Sequence, residues 1–219
     1  MNPTATLADL ATALPGAAGV FYRHGLDFCC GGRRSLQDAC AARGLDAGAV
    51  LAEVERETAA TGQARRWDAE PLPVLVDHIV TTYHRSLRAT LPHLIRMAAK
   101  VEMRHADKPE CPTGLAARLT VMHEGVIEHL LKEEQVLFPM IVRGEGRIAA
   151  GPVHVMELEH DEHGRHLQEV RRLTGNLEPP EAACATWRAL YLGLQQLERE
   201  LMEHIHLENN VLFRRALIA

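Results

Sequence analysis

The sequence predicts an all-α protein, in which an up-down four-helix bundle follows a small N-terminal helical domain. Aromatic residues make up only 4% of the 219 residues, whereas residues with high helix propensity are abundant. Four long segments repeat apolar residues at alternating spacings of three and four, the period of an amphipathic helix. Clusters of proline and glycine separate these segments. A chain of this length is long enough for one sizeable core, or for a bundle with a small additional domain.

The N-terminal domain is predicted to span residues 1–65 and to consist of short helices. Thr6, Ser35 and Asp46 each precede a short helical segment and belong to the residue types that cap helix N-termini. None of these helices is long enough to bury much surface alone. Residues 61–73 contain one glycine and two prolines and therefore predict a linker.

The second predicted domain, residues 66–219, holds the four long segments, at 74–103, 115–143, 153–174 and 182–217. Each segment carries an apolar seam that up-down packing would bury. Histidine or glutamate interrupts every seam. In chain order, the predicted seams are Val76, Val80, His84, Leu87 and Leu91; Leu115, Leu119, Met122, Val126, His129, Glu133, Val136 and Met140; Val153, Met156, His160, His163, Leu167 and Val170; and Trp187, Leu190, Leu194, Leu197, Leu201, His204, Glu208 and Val211.

A repeated string within these seams predicts a metal centre. His129 and Glu133 are four residues apart and are followed by Leu-Phe, and His204 and Glu208 repeat that pattern. Residues i and i+4 share one face of a helix, so each pair directs an imidazole and a carboxylate to one point. A further histidine precedes each string by 45 or 44 positions. The candidate metal ligands are His84, His129, Glu133, His160, His204 and Glu208.

Burial makes a structural role unfavourable for this set of six side chains. An ionised carboxylate in a core costs several kcal/mol unless it is paired or bound to a cation. A single core histidine is most often a satisfied structural residue, but that explanation does not suit six residues with duplicated spacing. Structural zinc favours four closed ligands, often with cysteine. Nitrogen and oxygen ligands shared by two octahedral ions fit iron or manganese better, and the pattern does not choose between those two.

Two cysteines stand next to each other in the N-terminal domain, Cys29 and Cys30. Adjacent Cα atoms lie about 3.8 Å apart, below the roughly 4.4 Å minimum usual for a disulfide. Two interpretations remain open: thiols that act on a ligand, a metal or a partner's thiol, and buried structural cysteines. The chain has five cysteines, an odd number, which agrees with a reducing compartment.

Charge and hydropathy exclude several function classes. The net charge of −5 does not favour a nucleic-acid partner. No apolar run approaches the roughly 18 residues of a membrane span, and the first residues lack the pattern of a signal peptide. We therefore expect a cytoplasmic protein with no nucleic-acid or membrane partner.

Several stretches resemble the family of iron-sulfur cluster repair di-iron proteins, the RIC proteins. The Gly25-Leu26-Asp27-Phe28-Cys29-Cys30-Gly31-Gly32 string resembles the family's N-terminal signature, and the remaining chain is similar to its hemerythrin-like up-down four-helix bundle. The other matching stretches are His105 to Pro109, Lys132 to Pro139, Glu159 to Glu162 and Leu207 to Phe213.

The resemblance implies a site and a cofactor. His84, His129, His160 and His204 would be terminal ligands of two oxo- or hydroxo-bridged iron ions, and Glu133 and Glu208 would be bridging carboxylates. Cys29 and Cys30 match the family's cysteine pair and would take a thiol role in the chemistry. His163 is a departure, because oxygen-carrying hemerythrins use a fifth histidine, and we place it outside the ligand set.

The resemblance also implies a function: a cytoplasmic stress protein that restores iron-sulfur clusters damaged by nitrosative or oxidative stress. Two mechanisms remain open, donation of iron to apo-cluster clients and enzymatic reduction of nitric oxide at the di-iron site. Iron-sulfur proteins and nitric oxide would be the partners, and a homodimer is compatible with the family. The alternative is a hemerythrin-like module that binds oxygen or stores iron.

Overall fold

Helices account for the regular structure of the chain. The computed structural model describes residues 2–61, 65–146 and 148–218, and an isolated antiparallel bridge between Thr6 and Ser35 is its one β-type pairing there. Part of the predicted linker, including Gly62, lies outside the described residues. The all-α fold class is confirmed.

The chain divides into two compact units. The first comprises residues 1–77, 140–150 and 202–219, and the second comprises residues 78–139 and 151–201. The boundary expected between residues 65 and 66 stays a prediction. Among the described residues, no helix is both long enough and apolar enough to cross a membrane.

Fourteen helical elements cover the described chain, three of them π-helical. The N-terminal elements are α1 (Leu7–Ala13), α2 (Ala17–Arg23), α3 (Leu36–Ala41) and α4 (Ala47–Thr61). The next segment contains α5 (Leu72–His78), π1 (Ile79–His84) and α6 (Arg85–Arg104). The remaining elements are α7 (Leu115–Lys132), π2 (Glu133–Leu137), α8 (Phe138–Val142), α9 (Ala150–Leu173), α10 (Ala185–His206), π3 (Leu207–Leu212) and α11 (Phe213–Ile218).

Side-chain caps begin three N-terminal helices, α1, α3 and α4, as the sequence predicts. The Thr6 hydroxyl accepts a hydrogen bond from the Asp9 N–H at 3.1 Å, and the Ser35 hydroxyl accepts one from the Asp38 N–H at 3.0 Å. Asp46 accepts from the Gly48 N–H at 2.7 Å. The helices bury one apolar cluster, which includes Leu7, Leu10, Leu14, Val20, Phe21, Phe28, Leu36 and Val54.

The second unit is a four-helix bundle with up-down connections. Helix α6 pairs with α7 in antiparallel register: Glu134 bonds His84 at one end, and Glu102 accepts from the Ala116 N–H at the other. Lys132 of α7 reaches Glu159 of α9 at 2.7 Å. The predicted four-helix bundle is confirmed.

Helix α10 closes the ring of helices in the second unit. Arg171 of α9 bonds Glu198 of α10, and Ser86 of α6 donates to Glu200 of α10 at 2.8 Å. Gly193 faces Leu94, and a Cβ added there would come within 2.7 Å of a Leu94 methyl carbon. The absence of a side chain at this position therefore lets α10 approach α6 closely.

Three π-helical turns change which residues face the core. A π turn bonds residue i to i+5 and adds one residue to the turn, so the α-helical pattern slips by one position across it. Leu75 and Ile79 are buried before His84, where the seam prediction of Val76 and Val80 is wrong. After Glu133, Leu137 is buried.

The same one-position shift, across π2, explains which residues are buried at the end of the second seam. Val136 is 51% exposed and Met140 is only partly buried, so both predictions are wrong, while Phe138 and Ile141 are buried instead. Every predicted residue of the third and fourth seams is buried. The errors therefore fall next to π turns and not elsewhere in the four seams.

The Arg171–Glu198 ion pair should stabilise the second unit. Both guanidinium-to-carboxylate contacts are 2.6 Å, and the Glu198 side chain is only 7% exposed. Glu198→Gln should lower the free energy of unfolding by roughly 3 kcal/mol, because it leaves a partly buried cation without its carboxylate. Urea unfolding of variants with equal metal content measures the change.

Glu169→Gln is the matched control for this prediction. Glu169 forms the same two-point contact with Arg172, but the Arg172 side chain is 66% exposed. Solvent screens such a pair, so the free energy of unfolding should stay close to the wild-type value. Equal losses in the two variants would contradict the role given to Glu198.

Candidate metal centre

A buried carboxylate organises the candidate ligands of the second unit. Glu133 is the first residue of π2 and is fully buried, and neither of its carboxylate oxygens has a hydrogen-bond partner. Its Oε2 lies 3.5 Å from His84 Nε2 and 3.4 Å from His129 Nε2. His160 Nε2 lies 3.0 Å from His129 Nε2. The ligand atoms of His129, Glu133 and His160 all lie within 4.8 Å of one another.

Hydrogen bonds on the far side of two imidazoles define which nitrogen faces Glu133. His84 Nδ1 lies 2.7 Å from Glu134, and His129 Nδ1 lies 2.9 Å from Glu159. A carboxylate accepts hydrogen bonds, so in the neutral tautomer each Nδ1 carries the proton and each Nε2 presents a lone pair. The Glu133 carboxylate therefore faces electron pairs of two imidazoles.

Lysine and arginine side chains keep the two outer carboxylates ionised. Burial acts to raise the pKa of Glu134, but hydrogen bonds from Arg88 and His84 outweigh it, and the pKa falls below its usual value. For Glu159, burial is likewise outweighed by hydrogen bonds from Lys132 and His129, and the pKa is lowered. Each outer carboxylate therefore stays an acceptor for its imidazole.

The remaining candidate ligands are in the first unit. His204 Nε2 lies 2.8 Å from Glu208 Oε1, and both side chains are buried. His204 belongs to the last turns of α10, and Glu208 belongs to π3. The predicted i, i+4 contact is therefore present even though a π turn begins between the two residues.

Three of the six candidate ligands lie within π turns. His84 is the last residue of π1, Glu133 is the first residue of π2, and Glu208 is the second residue of π3. Single π turns within α-helices occur frequently at functional sites. His160 is different, because it lies in the uninterrupted helix α9.

The nitrogen and oxygen atoms of these candidate ligands fit a metal ion. In the second unit the Glu133 carboxylate and the Nε2 atoms of His84 and His129 converge as buried hydrogen-bond acceptors. A cation is the species that stabilises such a group. Imidazole nitrogen and carboxylate oxygen suit iron and manganese, and no thiolate takes part. The chain thus has buried histidine and glutamate groups compatible with a metal site.

The two predicted cysteines lie in a loop of the first unit, and neither is in a disulfide. Their Sγ atoms are 3.9 Å apart. The hydrogen bond with Cys30 and burial raise the pKa of the Cys29 thiol well above its usual value. Asp27 Oδ1 accepts hydrogen bonds from the Cys29 and Cys30 N–H groups at 3.1 and 3.0 Å.

Sequence reasoning missed two residues that hold this loop. Asn210 Nδ2 lies 3.2 Å from the carbonyl oxygens of both Phe28 and Cys29 and 3.1 Å from His206 Nδ1. The His206 ring packs edge-on against Phe28, with centroids 5.6 Å apart. Burial lowers the pKa of His206 to about 4. No periodicity marks either residue. The available signals were their proximity to Glu208 and, for Asn210, its place in the matching stretch from Leu207 to Phe213.

His163 contacts a candidate ligand. It is buried, and its ring lies edge-on to His129 with centroids 4.9 Å apart. The seam position of His163 is confirmed, and its place outside the ligand set stays a prediction.

Removing the outer carboxylates should weaken metal binding. Glu134→Gln or Glu159→Gln replaces an ionised acceptor with an amide, so the imidazole loses its orientation and part of its basicity. We expect a loss of metal affinity of about 10- to 100-fold. Competition with a chromogenic chelator measures this affinity.

Glu128→Gln is the control for the outer carboxylates. Glu128 also contacts Lys132, at 3.1 Å, but it is 72% exposed and bonds no candidate ligand in the described contacts. The metal affinity of the Glu128→Gln variant should match that of the wild-type protein. If the Glu159→Gln variant binds metal as tightly as this control, the role of Glu159 in orienting His129 is wrong.

Comparisons with known proteins agree with this geometry. Residues 75–216 match the family model of the hemerythrin HHE cation binding domain, and residues 3–58 match a domain of unknown function, DUF542. The chain is 49% identical over 212 residues to the iron-sulfur cluster repair protein YtfE of Yersinia pseudotuberculosis serotype O:1b. It is 50% identical to the protein of that name from Musicola paradisiaca. Each alignment covers 97% of this chain and 96% of the relative.

Proposed function

Since the chain belongs to the family of the iron-sulfur cluster repair protein YtfE and contains a hemerythrin HHE cation binding domain, we propose that it repairs iron-sulfur clusters damaged by nitrosative or oxidative stress. In this proposal it acts in the cytoplasm as a di-iron protein. Its partners are apo-cluster proteins, with nitric oxide as a small-molecule ligand.

The observation that carries the proposal is the buried, acceptor-only surroundings of Glu133. Its carboxylate has no hydrogen bond, and imidazole nitrogens of His84 and His129 approach the same oxygen at 3.5 and 3.4 Å. A protein that used these residues only for stability would supply a donor to that carboxylate. The group is therefore built for a cation.

The proposed ligand set has four imidazoles and two carboxylates. Glu133 and Glu208 each supply two oxygens, which allows both to bridge two ions. The duplicated sequence pattern and the burial of all six side chains support the set. The terminal ligands are His84, His129, His160 and His204.

The ligand types favour iron as a cargo that the protein can release. Ferrous iron ranks low among first-row divalent ions in affinity for nitrogen and oxygen ligands, whereas thiolates select iron for clusters. Cysteines of an apo-cluster client would therefore compete well for this iron. Glu134 and Glu159 accept hydrogen bonds from the Nδ1 atoms of His84 and His129, which orients these two imidazoles in the absence of iron as well.

Nitric oxide reduction is the second candidate activity. The six proposed ligands would hold two ferrous ions that also accept an external ligand. These ions would supply the two electrons that, with two protons, convert two molecules of nitric oxide to nitrous oxide and water. The buried ligands of the second unit separate this chemistry from bulk water, because His84, His129, Glu133 and His160 are at most 1% exposed.

Metal content tests the ligand set. His129→Ala and Glu133→Ala should each lower the iron content below the two ions per chain expected for wild-type protein grown with iron. Elemental analysis with Mössbauer spectroscopy gives the number and type of ions. A variant that retains two irons would remove that residue from the set, and a wild-type protein isolated with zinc alone would contradict the di-iron proposal.

Transfer to a client tests the repair function. The iron-loaded protein, mixed anaerobically with an apo-ferredoxin, sulfide and reductant, should restore cluster absorbance while losing iron. A chelator that traps free ferrous iron should not prevent this transfer. Restoration no faster than with an equal amount of free iron and the same chelator would exclude direct donation.

Gas analysis separates the second activity from the first. Diferrous protein mixed with nitric oxide and an electron donor should form nitrous oxide over many turnovers if the centre is a reductase. No nitrous oxide, together with successful iron transfer, would leave donation as the function. A stable and reversible oxygen adduct without either activity would instead support an oxygen-binding module.

A further inference from the structure

The paired thiols in the loop of the first unit have the spacing of a metal chelate. Cys29 Sγ and Cys30 Sγ lie 3.9 Å apart. Two thiolates bound 2.3 Å from a tetrahedral ion are about 3.8 Å apart. We propose that Cys29 and Cys30 form a second metal site, which binds one thiophilic divalent cation through both sulfur atoms. The proposal goes beyond the proposed function and does not depend on it.

The loop is held in this geometry by contacts that do not need the ion. Asp27 Oδ1 accepts from both cysteine N–H groups and lies 3.2 Å from Cys29 Sγ. Asn210 Nδ2 contacts the carbonyl oxygens of Phe28 and Cys29 at 3.2 Å. The backbone therefore loses little further conformational entropy when an ion binds.

Close packing at Gly32 fixes the end of the loop. A Cβ at this position would come within 2.6 Å of the Phe28 carbonyl oxygen and 3.3 Å of Asn210 Nδ2. Any larger residue would push the loop away from Asn210. The glycine thus permits the contact that orients the two cysteines.

The partial exposure of Cys30 gives a metal ion access to the thiol pair from one side. Cys29 is buried, whereas Cys30 is partly exposed. Solvent or thiolates of another molecule can fill the remaining tetrahedral positions from the Cys30 side. A disulfide is a poor alternative occupant of this geometry, because its sulfur atoms must approach to about 2.05 Å across adjacent residues.

Metal binding should release protons. Both thiols must lose a proton to become ligands, and the divalent cation then replaces two protons. The raised pKa of Cys29 means that the thiol keeps its proton near neutral pH in the absence of metal. Affinity should therefore increase with pH.

The charged groups near the thiol pair do not reverse the expected increase of metal affinity with pH. Asp27 lies in the loop itself and opposes a second negative charge on the pair. On the C-terminal segment, His206 packs on Phe28, and Arg214 bonds Asn210 at 3.3 Å.

Cadmium titration of the full-length, reduced protein tests the site. Cadmium thiolates absorb in the ultraviolet, whereas complexes with imidazole and carboxylate do not absorb in that band. We expect one thiolate-bound cadmium per chain, with release of two protons and tighter binding at higher pH. The protein retains its own metal ions during the titration.

Cys30→Ser should abolish the thiolate absorbance, and Cys184→Ser is the matched control. Cys184 is an exposed thiol of the second unit, so its loss should leave the absorbance unchanged. Asn210→Leu should weaken cadmium binding about 10- to 100-fold, as expected when a positioning contact is removed. Circular dichroism identifies variants that keep the fold, and Cys29→Ser replaces Cys30→Ser if the latter does not fold.

Two results would overturn the proposal. The first is thiolate absorbance that persists in a folded Cys30→Ser or Cys29→Ser variant. The second is wild-type protein that shows no absorbance although both thiols react as reduced cysteines. Iron transfer to a client is measured separately, so failure of the dithiol site and failure of the repair function are distinguishable.

Discussion

The structure depends on a carboxylate buried among hydrogen-bond acceptors. Among the described residues, the buried Glu133 carboxylate has no hydrogen-bond partner. The Nε2 atoms of His84 and His129 lie 3.5 and 3.4 Å from it and present lone pairs in the neutral tautomer. Without a cation, this arrangement carries the desolvation cost of the charge and adds repulsion. A bound cation converts the same atoms into ligands. Metal binding is therefore coupled to the stability of the helices that bring these residues together.

The outer hydrogen bonds connect the buried group to the protein surface. Arg88 and Lys132 are partly exposed, and each bonds a carboxylate that in turn bonds a candidate ligand. This order of contacts lets the ligands be neutral imidazoles while the charges that orient them stay near solvent. It also explains how the second unit keeps a defined tautomer at His84 and His129 without burying an additional charge.

The sequence was sufficient for the fold class, the predicted helix caps and the third and fourth seams, because these follow from local propensity and from a helical period that holds over most of their length. It was not sufficient for the seam residues next to π1 and π2, whereas Glu208 and Val211 in π3 are buried as predicted. Val76 and Val136 have the spacing of core residues in an α-helix, but Leu75 and Leu137 take the buried positions. A π turn shifts the register of the residues that face the core, and a regular apolar periodicity does not record where such a turn occurs. The role of Asn210 was not predicted either, because its partners are the backbone carbonyls of Phe28 and Cys29, which are far away in sequence.

The helix that carries Glu208 also carries the residue that holds the cysteine loop. Glu208 and Asn210 both belong to π3, and Asn210 contacts the carbonyl of Cys29 directly. A change in the position of π3 on metal binding would therefore move the backbone of the thiol pair, and a change in the loop would act on Glu208 in return, because such coupling is reciprocal. The proposed transfer of iron to thiolate clients would use this connection. A thiol pair that responds to metal occupancy at Glu208 would distinguish the loaded state from the empty one.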